Sequence, residues 1–292
     1  MGKMKSITTR ALTGIVYVGM ILGVIISNEV VAVACLLALF SMLGSYEYLV
    51  MSKSNLYTLF LKIWHALMAG LVVYIFYILA DYPNNWHKVV MALFPYFCYI
   101  LFYLIGEIYR LKRVPEREAS QSFFAHIYVA LPLGVLLLTT GERYGLSELF
   151  GDRLSFPNTF WLLPIFTLIW LNDTGAYLVG SLFGKHKLLE RVSPNKTWEG
   201  SIGGMVITLI GSYCYSLLFP EVASVWEWMG FGLLIVFFGT YGDLFESFIK
   251  RSCGVKDSGN ILPGHGGMLD RIDSLLFVSF PAFLYINLVI NV

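Results

Sequence analysis

Acidic side chains stand where apolar ones are expected in two stretches of this chain. Asp243 and Glu246 lie within Phe237 to Ile249, and Asp173 lies beside Asn172 and Thr174 within Leu168 to Gly180. A charged residue at the centre of a membrane helix costs about 2.5–3.5 kcal/mol on insertion scales, so such residues normally face a cavity and mark function. Downstream come Lys250 and Arg251, then Lys256 and Asp257, then a turn containing His265, Gly266 and Gly267, then Asp270, Arg271 and Asp273. In a helix Asp270 and Asp273 share a face, as do Asp243, Glu246 and Lys250. Clustered hard oxygen donors suit Mg²⁺ together with substrate phosphates, and a cation relieves the mutual repulsion of such carboxylates. The glycines let backbone N–H groups approach a phosphate. Lys250, Arg251, Lys256 and Arg271 offer countercharge to a polyphosphate. The tendency of bases to stay on the cytoplasmic side explains any one of these residues, but not the constellation. A lone histidine is more often structural; the neighbours of His265 place it among the catalytic candidates.

A second segment, Ser193-Pro-Asn195-Lys196-Thr-Trp-Glu199-Gly200, follows the stretch that holds Asp173. Ser193 is expected to cap a helix that starts near Pro194, whose free N–H groups would face an anion. The plainer alternative is an amphipathic re-entry helix with Lys196 and Glu199 in solvent.

These residues need elements to hold them. Of the 292 residues, 57% are hydrophobic and only 13% charged, well away from a soluble composition. The apolar residues come in blocks of roughly the ~20 needed to cross a bilayer. The fold expected is all-α: a polytopic integral membrane protein with about nine transmembrane helices, forming one membrane domain over 1–292. The helices of 1–150 have no assigned role, and the catalytic site falls on helices and loops of 160–280. A net charge of +1 gives no sign of a nucleic-acid partner. The four cysteines are scattered, without ligand or disulfide spacing.

With the N-terminus in the cytoplasm, every Lys and Arg except Lys88, Arg143 and Arg153 falls on the cytoplasmic side. Asp173 and Asp243 then lie about equally near that face, roughly 10 Å deep at 1.5 Å per residue, and are expected to line one pocket open to the cytoplasm.

The run Ser247-Phe-Ile-Lys250-Arg251, Lys256-Asp257, Leu262-Pro263, His265-Gly-Gly, Asp270-Arg271, Asp273 resembles the signature of the CDP-diacylglycerol synthases, or phosphatidate cytidylyltransferases. The segments around Asn172 and from Ser193 to Gly200 are similar to that family too. The likeness is strong over Trp170 to Asp273, without departure at signature positions, and only hydropathic before that. It implies a reaction of CTP with phosphatidic acid that gives CDP-diacylglycerol and pyrophosphate. It also implies Mg²⁺ held by Asp243, Asp270 and Asp273, a second cation such as K⁺, and a homodimer. The Lys and Arg distribution leads to the expectation of a site in the cell membrane that both substrates reach from the cytoplasm. Catalytic roles then fall to these three aspartates with Lys250, Arg251, Lys256, His265 and Arg271. Substrate binding falls to Asp173, Ser193, Asn195, Lys196, Glu199, Gly266 and Gly267. Two rivals differ in kind: a CTP-dependent kinase of a lipid alcohol, and a cation-coupled transporter. Transporters tend to bind at the midplane between repeats, and no repeat is visible here.

The orientation is testable. A single Cys near Lys185 or Lys256, in a background without native cysteines, is expected to react with an impermeant thiol reagent only in inverted vesicles. Labelling from the outer face would overturn the assignment.

Overall fold

Backbone polar groups in hydrocarbon must be satisfied within the protein, and this chain satisfies them with helices. A computed structural model describes residues 2–52, 59–82, 85–110, 115–140, 158–264 and 266–290. Arg143, Arg153 and His265 lie outside the described residues. Eight described helices are long and apolar enough to span a bilayer, so the chain is an all-α integral membrane protein. The first expected span, Ala11 to Ser27, contributes only a shorter apolar piece, Leu12–Ile26. Eight helices therefore meet the spanning length among the described residues, against the nine expected.

The chain forms two compact units. The first comprises residues 1–144 with the segment Asp257–Asp270. It contains α1 (Gly2–Ile26), α2 (Val30–Met51), α3 (Leu59–Asp81), α4 (Trp86–Arg110), α5 (Pro115–Ala125) and α6 (Leu131–Leu137). A single π-helical turn, His126–Ala130, joins the last two. Ser41 on α2 donates to the Ala69 carbonyl on α3 (3.0 Å). The buried His65 and His126 lie among Tyr96, Tyr99 and Tyr103. His126 Nε2–H donates to the His65 carbonyl (3.0 Å), so in the neutral ring Nδ1 accepts from the Tyr96 hydroxyl (2.8 Å).

The second unit comprises residues 145–256 and 271–292. Its helix α7 (Leu162–Phe183) leads into an antiparallel ribbon of β1 (Lys187–Leu189) and β2 (Ser193–Thr197). Then come α8 (Trp198–Leu218) and α9 (Val225–Ser252), followed by α10 (Leu269–Tyr285), which begins in the Asp257–Asp270 segment. Glycines bring α7 and α8 together. A Cβ at Gly200 would lie 2.8 Å from the Ala176 carbonyl, and one at Gly204 would lie 2.7 Å from the Asn172 carbonyl. The start of α9 is fixed by a reciprocal cap: Ser224 Oγ accepts from Glu227 N–H (3.3 Å), and the Glu227 carboxylate accepts from Ser224 N–H (2.6 Å).

One expected boundary is corrected. Ser193 does not cap a helix at Pro194, because residues 193–197 are strand. The helix starts at Trp198, and Thr197, in an extended conformation, caps it by accepting from Gly200 N–H (3.1 Å). Proline suits a first helical turn but also an edge strand, where its missing N–H is no loss. Here the pairing with β1 decides. Thr197→Ala should therefore destabilise the protein by about 1 kcal/mol in detergent unfolding, and Ser193→Ala by well under half of that. The reverse order would place the helix start back at Pro194.

Candidate active site

Helices α9 and α10 approach closely because Gly242 has no side chain. A Cβ there would lie 2.6 Å from the Asp273 carbonyl and 3.1 Å from both Phe277 Cβ and Ser274 Cα. The Ser274 hydroxyl donates across the same contact to the Gly239 carbonyl (3.1 Å), and the rings of Phe245 and Phe277 pack at 5.2 Å. The residue after Gly242 is Asp243, so this contact sets two carboxylates face to face. Asp243, Glu246 and Asp273 form the cluster, with candidate ligand atoms all within 4.8 Å of one another.

Two lysines balance these acids. Lys196 Nζ, from β2, lies 2.6 Å from Asp243 Oδ2. Lys250, one helical turn after Glu246, pairs with it. The Glu246 side chain is fully buried and that of Lys250 is 11% exposed, so this pair is shielded from water. The Asp243 side chain keeps 32% exposure, which leaves it accessible to a ligand. Asp173 interacts electrostatically with Asp243, Lys196 and Arg271. Three carboxylates at this spacing, partly countered by lysines, provide the oxygen donor set that a Mg²⁺ ion would take.

The other expected residues occupy varied positions. Arg251 donates from Nη1 to the Val255 carbonyl (2.9 Å), closing the turn after α9, and Lys256 and Arg271 are exposed. On β2, Asn195 is exposed and Ser193 half-buried. Glu199 accepts from the N–H groups of Lys185 (3.1 Å) and His186 (3.2 Å) and pairs with the His186 ring (2.5 Å). It thus braces the turn that leads into the ribbon.

Asp270 is engaged by backbone: its Oδ2 accepts from Gly267 N–H (2.8 Å) and Ser258 N–H (3.1 Å). The Gly267 N–H is therefore committed to a carboxylate. Gly264 and Gly266 have positive φ, 78° and 81°, a backbone that only glycine adopts without strain. The Gly266 carbonyl accepts from Leu262 N–H (3.0 Å), which closes the turn.

Two further acids stand out, one in each unit. Glu246 joins the cluster directly. Glu47, on α2, is buried and accepts from Met268 N–H (2.9 Å), Leu269 N–H (2.8 Å) and Ser258 Oγ–H (3.2 Å). The signal that singles out Asp243 would also have found it: Glu47 is the one acidic residue in the otherwise apolar run Val30–Met51.

Gly242→Ala is expected to force α9 and α10 apart at about 1–3 kcal/mol, lowering the melting temperature in detergent. At Gly239 a Cβ meets Val278 and Ser274 only at 3.7 and 3.8 Å, so Gly239→Ala should be neutral or slightly stabilising. Equal effects at both positions would contradict the close approach.

A family described as "Cytidylyltransferase family" matches residues 8–289. Among similar proteins, a phosphatidate cytidylyltransferase of Staphylococcus aureus strain COL is 52% identical over 134 residues, covering 46% of this chain and 52% of that protein. Phosphatidate cytidylyltransferases of Staphylococcus saprophyticus and Staphylococcus haemolyticus are 48% and 49% identical over 118 residues, covering 40% of this chain and 45% of each. The chain thus spans about half the length of these relatives.

Proposed function

This chain belongs to the cytidylyltransferase family, and we propose that it transfers the cytidylyl group of CTP to phosphatidic acid, giving CDP-diacylglycerol and pyrophosphate. The observation that carries this reading is the convergence of Asp243, Glu246 and Asp273 with Lys196 and Lys250. The names of the similar proteins supply the substrates.

The chemistry suits such a site. A phosphate monoester has its second pKa near ~6, so phosphatidate arrives as an anion and needs no general base. One of its oxygens forms a bond to the CTP α-phosphorus, the α–β bridging bond breaks, and pyrophosphate leaves with that electron pair. The obstacle is repulsion between two polyanions, and catalysis consists largely of positioning and charge neutralisation. Asp243 and Asp273, with Glu246 behind them, would hold Mg²⁺, which when bound neutralises phosphate charge and polarises the reacting centre. A second cation such as K⁺ fits the same acid-rich surroundings. Lys196 holds Asp243 in place through their 2.6 Å pair, and Lys250 does the same for Glu246. The exposed Arg251, Lys256 and Arg271 would offer countercharge to the phosphates, and Asp173 would moderate that charge. The site opens to the cytoplasmic face of the cell membrane, as the Lys and Arg bias supports; the diacyl tails stay in lipid while CTP arrives from water. The active form is a homodimer.

Purified protein given phosphatidate and CTP labelled at the α- or γ-phosphate should place only the α label in lipid. A γ label in a lipid would instead mark a kinase, and no label in lipid a non-enzymatic role. Asp243→Asn and Asp273→Asn should each lower the rate by about a hundredfold or more while the protein stays folded and inserted. Near-normal turnover in either would remove that residue from the site.

A further inference from the structure

Glu47 is an acid that the proposed reaction leaves without a part. It sits near the C-terminal end of α2, buried, far in sequence from the signature run. Its carboxylate nevertheless organises that run. Both oxygens accept hydrogen bonds: Oε1 from Met268 N–H (2.9 Å), and Oε2 from Leu269 N–H (2.8 Å) and Ser258 Oγ–H (3.2 Å). Gly267, Met268 and Leu269 are themselves buried, so their N–H groups have no ready access to water, and Leu269 is the first residue of α10. A helix start leaves N–H groups without intrahelical partners, and an anion there is favoured by the helix dipole. Met268 and Leu269 are too apolar to cap their own helix. The cap is imported from α2.

Asp270 completes the arrangement from the other side. It takes the N–H groups of Gly267 and Ser258, while Glu47 takes those of Met268 and Leu269. Two acids thereby divide the N–H groups at both ends of the glycine-rich turn. The turn is shaped to admit them. A Cβ at Gly259 would come within 2.5 Å of Glu47 Oε1, and one at Gly267 would collide with both Ser258 Oγ and Glu47 Oε2. The tight space at Gly259 is set by Glu47, and that at Gly267 by Ser258 and Glu47 together, rather than by the φ angles of these glycines. Thr13 on α1 adds a further tie, donating to the Pro263 carbonyl (3.1 Å).

We propose that Glu47 is a positioning residue: its carboxylate pins the glycine-rich turn and the first residues of α10, and so fixes the register in which that helix carries Arg271 and Asp273. The inference rests on the cytidylyltransferase reading for its effect on turnover, but the pinning itself does not. Glu47 touches no reacting group. Its influence passes along the chain, from residues 268 and 269 to 271 and 273. A helix start that slips by a fraction of a turn moves both side chains, and misplacement on the order of 1 Å costs about a hundredfold in a positioned reaction.

The test compares wild type with Glu47→Gln, Glu47→Asp and Ser258→Ala in the full-length protein. Glu47→Gln keeps shape and size but puts an NH₂ group opposite N–H donors. Hydrogen exchange across residues 257–272 is read first, because it needs no turnover. It should accelerate in Glu47→Gln, and less in Ser258→Ala, with exchange in α8 unchanged. The rise in melting temperature on adding Mg²⁺ should shrink in Glu47→Gln. With phosphatidate and CTP, Glu47→Gln should lower kcat by about ten- to a hundredfold and raise the Mg²⁺ concentration for half-maximal rate. Glu47→Asp, which keeps the charge, should recover part of both. Unchanged exchange in 257–272 would overturn the proposal. So would faster exchange with wild-type kcat and Mg²⁺ requirement. If Glu47→Gln does not fold, Ser258→Ala decides: faster exchange over 257–272 supports the pinning, and wild-type exchange overturns it. A wild type that forms no CDP-lipid would instead sink the reaction, while exchange and the Mg²⁺ shift would still decide the role of Glu47.

Discussion

Three carboxylates within 4.8 Å of one another in a membrane protein are unstable unless something balances them. Each would rather remain in water, and each repels the other two. The second unit is arranged around that constraint. Lys196 and Lys250 supply part of the countercharge from a strand and from a helix turn. The residual excess of negative charge would favour a divalent cation there. An apolar replacement of similar shape would pack with less penalty, so acids in so costly a place argue for chemistry.

Backbone proximity is the second requirement, and glycine provides it. Gly242 lets α9 and α10 touch where Asp243 and Asp273 must meet, and Gly200 and Gly204 let α8 settle against α7. The same device serves the first unit, where Gly259 and Gly267 make room for Glu47. Acid placement and glycine placement are thus two halves of one pattern. The Glu47 carboxylate lies against Gly259 and Gly267, and that of Asp270 against Gly266.

Much of this was legible in the sequence. Long apolar blocks revealed the helices, since a bilayer demands a length that composition reports directly. Acidic residues inside those blocks located Asp173, Asp243 and Glu246. What stayed hidden depended on partners distant in the chain. Strand β2 resembles a helix start in sequence because Ser193-Pro194 fits either role until the pairing strand is known. Asp270 and Asp273, three residues apart, looked equivalent by spacing. The structure shows Asp273 beside Asp243 and Glu246, and shows Asp270 accepting from the N–H groups of Gly267 and Ser258. Glu47 met the criterion applied to Asp243, but it lies more than two hundred residues from its partners, and no local pattern joins them. Through that side chain α2 holds the start of α10 and Ser258.

The central claim is that Asp243, Glu246 and Asp273 form a divalent-cation site. Binding of Mn²⁺ to the purified protein, followed by electron paramagnetic resonance without nucleotide or lipid, tests it most directly. The account predicts saturable binding that Mg²⁺ displaces and that the combined Asp243→Asn and Asp273→Asn substitutions abolish. Saturable binding that survives both substitutions would contradict it.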